Sequence, residues 1–378
     1  MDTLTHALLG AAAAQVCRPR RAPALATRQR LLLGAAAGAF PDLDFVGFLW
    51  HPLRFLADGH QGPTHSLLLL PLWALAIAAV AAALLAPPAR RRAVFADAYL
   101  AVVAALVVHL AADLITAYGL MLAFPLSTQR WALGWIHLVD PVFSALALLA
   151  VLAAGAASRR RAPALLVLAT LAGYVGLQGL AQQRALEVAR GWALAQGLAV
   201  QRVSAFAQPL SPWHWRLIVS ERDHHHVADL DLAGSGLAAR WPPLPWPQPL
   251  REMLAAYRPA SALQWQPHLR ADGSLLPALA PPAGVPPQAA AQAADARAAW
   301  RAPPLAPLRR FATHPALYRI DAAADGTLRC AWFTDLRYDL PRLPATFRFG
   351  VCRDAPAQPW RLYRLRYLQP DARQPLPP

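Results

Sequence analysis

Long Ala/Leu/Val runs, separated by short clusters of arginine, fill residues 1 to about 182, and this pattern limits the first half of the chain to a helical membrane bundle. A helix that crosses a bilayer needs about 20 mostly apolar residues. Three stretches meet that length: 66–86, 94–118 and 141–157. A fourth, 162–181, is softened by Gly173, Gly176 and Gly179. Stretch 4–16 is too short to cross, and 31–50 is broken by Pro41-Asp42-Leu43-Asp44. Both read as partial or re-entrant helices, because irregular backbone is tolerated in a membrane only where protein or water surrounds it. Past Gln182 the composition turns mixed, Pro-rich and aromatic, so the chain divides into a membrane domain, 1–182, and a soluble domain, 183–378.

The formal charge of +15 comes entirely from arginine, since the sequence has no lysine. No DNA- or RNA-binding motif accompanies the charge, so direct nucleic-acid binding is not expected. Thirteen arginines precede Gln182, and eleven of them fall in three linkers, 18–30, 90–92 and 159–161. Those linkers share one side of the membrane if each intervening pair of segments goes out and back. By the positive-inside rule that side is the cytoplasm. The loop 119–139 and everything after the last helix then face outward, with Arg54 and Arg130 as exceptions. The start of the chain lacks a basic region before its apolar stretch and does not read as a cleavable signal. Three cysteines, Cys17, Cys330 and Cys352, form no CxxC pair, which argues against a thiolate zinc site.

On that map the other polar residues gather at one level. His6, Asp42, Asp44, His51, His60, His65, His109, Asp113, His137 and Asp140 all fall near the non-cytoplasmic ends, and Asp97 alone sits at the opposite face. Ionisable groups inside membrane segments are costly and mark function. His109 and Asp113 are spaced i, i+4, which lets one helix face offer two ligands. Asp42 and Asp44 follow the helix-breaking Pro41. His60 and His65 flank Gln61-Gly62-Pro63-Thr64, with Thr64 or Ser66 able to cap the next helix. A mixed His/carboxylate set suits zinc, manganese or iron better than calcium, and a divalent metal that activates water makes hydrolysis the natural reaction class. Without metal the same groups are ordinary acids and bases. His51 and His137, beside Trp50 and Trp135, read instead as interfacial residues. Asp140-Pro141 is an equally good helix N-cap, and His109/Asp113 also has a reading as a structural pair.

Met1-Asp2-Thr3-Leu4-Thr5-His6-Ala7-Leu8-Leu9-Gly10 resembles the N-terminal signature of the YdjM/YbcI family of bacterial inner-membrane proteins. Phe40-Pro41-Asp42-Leu43-Asp44, His60-Gln61-Gly62-Pro63-Thr64-His65-Ser66 and His109-Leu110-Ala111-Ala112-Asp113-Leu114-Ile115-Thr116-Ala117-Tyr118-Gly119 match further motifs in order. The 131–141 stretch, ending in Val139-Asp140-Pro141, also fits. The resemblance implies a metal-dependent hydrolase of the inner membrane, with a divalent metal, zinc first, held among His6, Asp42, Asp44, His60, His65, His109 and Asp113. Within that set Asp42, Asp44 and His65 are the catalytic candidates. Family descriptions also mention association with the LexA repressor of the DNA-damage response, on which these residues are silent. Gln61 stands where many relatives carry a basic residue, a departure expected to touch a neighbour of the site and not its ligands.

The second half reads as a small α+β or mostly β extracytoplasmic domain, with no catalytic motif of its own. Residues 181–198 extend as an amphipathic helix leaving the membrane. Strands are expected at 213–219, 224–232, 317–321, 327–335, 345–351 and 360–368, with Pro-rich loops at 241–249 and 277–287. Alternation sends His225 to the face opposite His224 and His226, so the triplet reads as strand surface in preference to a second metal site. In a periplasmic domain Cys330 and Cys352 can form a disulfide between neighbouring strands. The expected function is hydrolysis of a lipid- or envelope-derived ester or phosphoester near the outer face. The alternative is a transporter or scaffold whose His/Asp cluster binds metal or protons.

Overall fold

Asp2 accepts a hydrogen bond from the Thr5 amide and so caps the first helix, α1, Thr3–Val16. The computed structural model describes residues 1–19, 23–157, 160–209, 213–234, 247–273, 295–322, 328–355 and 357–377. The expected loop 277–287 and most of 241–249 lie outside them. After α1 come α2, Thr27–Ala39; a 3-10 helix, Phe40–Leu49; α3, Leu70–Leu85; α4, Arg91–Leu114; α5, Pro141–Ala156; and α6, Ala162–Ala195. The chain divides into two compact units. One holds Met1–Val46 and Gly59–Leu180, the other Gly47–Asp58, Ala181–Gln208 and Trp213–Pro378.

In the first unit α1 is the central helix and packs against α2, α4 and α5. Its approach to α2 is backbone on backbone. A Cβ at Gly10 would fall within contact distance of the Gly34 carbonyl, and one at Gly38 would meet the carbonyl of His6. Gly34 and Gly38, four apart, thus form the small-residue seam that lets helices close up in lipid.

Among the described residues, three helical stretches are long and apolar enough to cross a bilayer: Thr27–Leu49, Pro88–Leu114 and Ala162–Ala195. A fourth is reached only by joining Pro52–His65 to Leu70–Leu85 across a bend of 67°. The count of four full spans is therefore not met by straight helices. Ser66 is the reason in one case: its Oγ accepts from the Leu68 and Leu69 amides, so α3 starts only at Leu70. α3 and α5, at 16 residues each, are about 24 Å long, short of a hydrocarbon core of about 30 Å. The 31–50 stretch does break near Pro41, but it continues as the 3-10 helix, and Thr27–Leu49 together reach 23 residues.

Buried positions on α4 recur every four residues through Asp97, Ala101, Ala105, His109 and Asp113. Asp97 anchors one end of this stripe. It pairs with the guanidinium of Arg30 and accepts from the amides of Ala24 at 2.8 Å and Leu25 at 2.9 Å. Arg30 is 1 % exposed, so removing its partner leaves a buried cation unpaired. Asp97→Ala is expected to cost about 3–5 kcal/mol and to lower the thermal midpoint of the detergent-purified protein. An unchanged midpoint would show that the pair is dispensable.

The second unit contains two antiparallel sheets. β1 (Arg202–Ala207), β2 (His214–Ser220), β3 (His224–Asp231) and β4 (Gln266–Leu269) lie in that order. So do β5 (Pro315–Ala322), β6 (Leu328–Asp335), β7 (Phe349–Cys352), β8 (Arg361–Arg366) and β9 (Gln369–Pro375). Ala181, Ala185, Ala189 and Ala193 form a stripe along the end of α6 that packs on Trp215, Leu217, Val219 and Leu230 of the first sheet. On the opposite face Ile218 and Val227 pack with Ala316 of β5 and with Leu336 just after β6. Cys330 and Cys352 are register partners on β6 and β7 and form a disulfide.

Candidate metal centre

The glycine seam sets the first ligand in place. Because Gly38 touches the backbone of His6, α1 and α2 converge where His6 faces α4. The His6 and His109 rings stack there with centroids 3.7 Å apart. The carbonyl of Gly38 accepts from His109 Nδ1 at 2.6 Å. With Nδ1 carrying that proton, Nε2 of His109 is left bare, the arrangement by which a second partner orients a metal-binding imidazole.

Asp113, one turn further along α4, is the hub. Its Oδ1 lies 2.9 Å from His6 Nε2 and against the Met1 amino nitrogen. Its Oδ2 accepts from Gln61 Nε2 at 3.0 Å and lies 3.3 Å from Nε2 of both His65 and His109. Asp42 reaches the same point from the 3-10 helix. Thr3 Oγ1 donates to its Oδ2 at 2.7 Å, while Oδ1 lies 3.7 Å from His65 Nε2 and 3.9 Å from His109 Nε2. Ligand atoms of His6, Asp42, His109 and Asp113 all lie within 4.8 Å of one another.

These residues fit a divalent cation. Nε2 of His65 and of His109 are buried without a hydrogen-bond partner, a cost that a bound cation removes. Two imidazoles with two carboxylates is the donor set of zinc, manganese or iron sites. His65 stands beside the group of four, its Nδ1 held by Thr64 Oγ1 at 2.9 Å.

Asp44 and His60 belong to an outer layer. His60 Nδ1 meets Asp44 Oδ1 at 3.0 Å, and Asp44 Oδ2 accepts from the Gln61 amide at 3.1 Å and from Thr64 Oγ1 at 3.3 Å. Asp44 therefore ties down the loop that carries His60 and His65. Gln61 adopts a left-handed φ of 55° there, and its side-chain Nε2 donates to Asp113. The side chains of His6, His65, His109 and Asp113 are fully buried, whereas Asp42, Asp44 and His60 are 10–14 % exposed. Asp42, Asp44 and His60 are thus the part of the cluster that reaches the surface.

Four participants escaped the sequence reading: Thr3, the Gly38 carbonyl, the direct contact of Gln61 with a candidate ligand, and the Met1 amino group at Asp113. The Gly34-xxx-Gly38 spacing was the available signal for the second. Asp140 caps α5 by accepting from the Phe143 amide at 2.9 Å, and it also accepts from Tyr174 at 2.8 Å. In β3, His225 turns to the face opposite His224 and His226 and meets Ser220 Oγ at 2.8 Å, while His226 meets Glu221 at 2.8 Å.

Residues 1–185 match the family model described as YdjM inner membrane protein. No curated protein and no solved structure matches the chain.

Proposed function

We propose that this chain, which through residues 1–185 belongs to the YdjM family of inner membrane proteins, is a metal-dependent hydrolase of lipid- or envelope-derived esters or phosphoesters. The observation that carries the reading is the meeting of His6, Asp42, His109 and Asp113, from three separate helical segments, inside an apolar bundle. Zinc, manganese and iron all suit that set. When bound, such a cation supplies Lewis acidity toward an ester or phosphoryl oxygen and acidifies water.

The chain's own residues then divide the work. Gln61 and the imidazoles hold Asp113, and Thr3 turns Asp42 inward. His65 and Asp42 lie where the buried cluster meets its partly exposed rim, and we assign them the movement of protons. Asp44 positions His60 and the loop behind it. The Cys330–Cys352 disulfide supports an oxidising compartment for the second unit, and the arginine-rich linkers support a non-cytoplasmic position for the rim of the centre.

The test uses detergent-purified protein with 4-nitrophenyl phosphate, bis(4-nitrophenyl) phosphate, 4-nitrophenyl acetate and phospholipid vesicles. Turnover abolished by a chelator and restored by one of the three metals is expected. Metal-loaded protein with no chelator-sensitive turnover on any of them would end the hydrolase reading. The bend of 67° between Pro52–His65 and Leu70–Leu85 favours transport as the second reading, because broken helices line transporter sites. Uptake of zinc or manganese into proteoliposomes is its discriminating measurement.

A further inference from the structure

In the second unit Ile218 and Val227 of the first sheet pack with Ala316 of β5 and with Leu336 just after β6, and a cleft of about 390 Å³ opens beside Val227 and Leu336. That volume is within the range of small-molecule sites. About half of its lining residues are polar or charged, more than a gap left by imperfect apolar packing would show. Arg216 on β2 and its register partner Asp229 on β3 form a bidentate pair at 2.9 and 3.1 Å, so two of the charges cancel. Asp339 is held by Thr334 Oγ1 at 3.2 Å and the Thr346 amide at 3.3 Å. Burial pushes its carboxyl up to about 6, so only below that pH does it carry a proton to donate to a ligand oxygen.

The mouth is different in character. Arg258 and Arg342 line the cleft, both are exposed, and neither has an ion-pair partner among the described residues. Arg342 also adopts a φ of 61°, a left-handed conformation that a non-glycine residue holds only at some cost in energy. Such strained positions cluster at ligand sites. Gln266 and His268 on β4 add neutral hydrogen-bonding groups to the wall, and Tyr318 on β5 adds an aromatic surface. Unpaired guanidiniums recognise the oxygens of phosphate and carboxylate groups in a forked geometry.

We infer that this cleft binds a small hydroxylated molecule bearing a phosphate or carboxylate, with Arg258 and Arg342 holding the oxyanion and the Gln266, His268 and Thr334 side receiving the hydroxyls. The inference concerns the second unit alone and is independent of the metal centre.

Calorimetric titration of the full detergent-purified chain tests it, with glucose 6-phosphate, glucuronate, sn-glycerol 3-phosphate and neutral glucose as probes. At least one charged probe is expected to saturate with a dissociation constant near or below about 1 mM. Arg258→Ala/Arg342→Ala should weaken it by about tenfold or more, with the thermal midpoint unchanged because both side chains are exposed and unpaired. His109→Ala should leave the binding intact, which separates this site from the metal centre. Preference for sn-glycerol 3-phosphate assigns a lipid headgroup as the source, and preference for either sugar acid assigns a free solute. Saturation by none of the charged probes, equal binding of glucose, or full binding by the double variant would overturn the proposal.

Discussion

Alanine at Asp113 or His109 is expected to strip the metal from the purified protein, whereas alanine at Asp44 should weaken its binding by a smaller factor. Asp113 is contacted by His6, Gln61, His65 and His109 together. Its removal leaves three buried imbalances at once: imidazoles at His6, His65 and His109 with one carboxylate fewer to offset a cation. His109 donates through Nδ1 to Gly38 and presents only Nε2 inward, so no other atom of that residue replaces the lost ligand. Loss of an orienting partner typically costs 10–100-fold in metal affinity. Asp44→Ala belongs to that class, since Asp44 holds His60, Gln61 and Thr64 and lies behind the ligands. Asp113→Ala and His109→Ala should exceed it, taking metal content from about one ion per chain to below about a tenth of that. Elemental analysis beside wild type gives the answer, with circular dichroism to verify that the helices persist. Equal metal in wild type, Asp113→Ala and His109→Ala would remove both residues from the ligand set.

The parts of this centre that sequence revealed are those whose chemistry is carried by residue type. His and Asp in apolar helices stand out because they are costly there, and the i, i+4 spacing of His109 and Asp113 places both on one face without a structure. What stayed hidden depends on groups that every sequence has. The Gly38 carbonyl is a backbone atom, and only the close approach of α1 to α2 at Gly10, Gly34 and Gly38 makes it a partner of His109. Thr3 needed the fold of the 3-10 helix to bring Asp42 to it. The same logic holds for the sheets. β2, β3, β5, β6, β7 and β8 overlap the expected strands, but β1, β4 and β9 were missed, and all three are edges. β4 and β9 contain proline, which removes a ladder donor and is tolerated at an edge. Helix lengths failed for a related reason, since hydropathy cannot see that the Ser66 hydroxyl delays the start of α3.

The second large effect is acid lability of the sheet unit. His225 and His314 approach each other with ring centroids 5.7 Å apart. His314 Nε2 meets Ser204 Oγ at 3.0 Å and His225 Nδ1 meets Ser220 Oγ at 2.8 Å. Burial pushes the His225 imidazole down to about 4, with the Arg270 charge adding to it, and burial also holds His314 well below its ordinary range. In the unfolded chain both titrate near 6.5. The unfolded state therefore binds more protons below about 6.5, and the stability present above that pH is lost as pH falls toward 4. Asp339 opposes this. Its raised value of about 6 means that the folded state keeps a proton which the unfolded carboxyl releases above its ordinary value of 3.8, so its contribution grows on acidification. Asp335, held below its ordinary range against burial mainly by the Arg337 charge, titrates beneath the window. His268 on β4 is lowered by burial as well, so three imidazoles stand against one carboxyl and the unfolded state is ahead by more than one proton, and going from pH 7 to about 4 should cost on the order of 3 kcal/mol. Thermal unfolding followed by near-ultraviolet circular dichroism, which reports on buried Trp215 and Trp332, should show the midpoint falling over that range. In His225→Gln/His314→Gln the fall should vanish or reverse sign, because only His268 is then left to oppose Asp339. A midpoint that is flat in wild type, or that falls equally in the double variant, would mean that these imidazoles find solvent or a proton acceptor that their burial denies them.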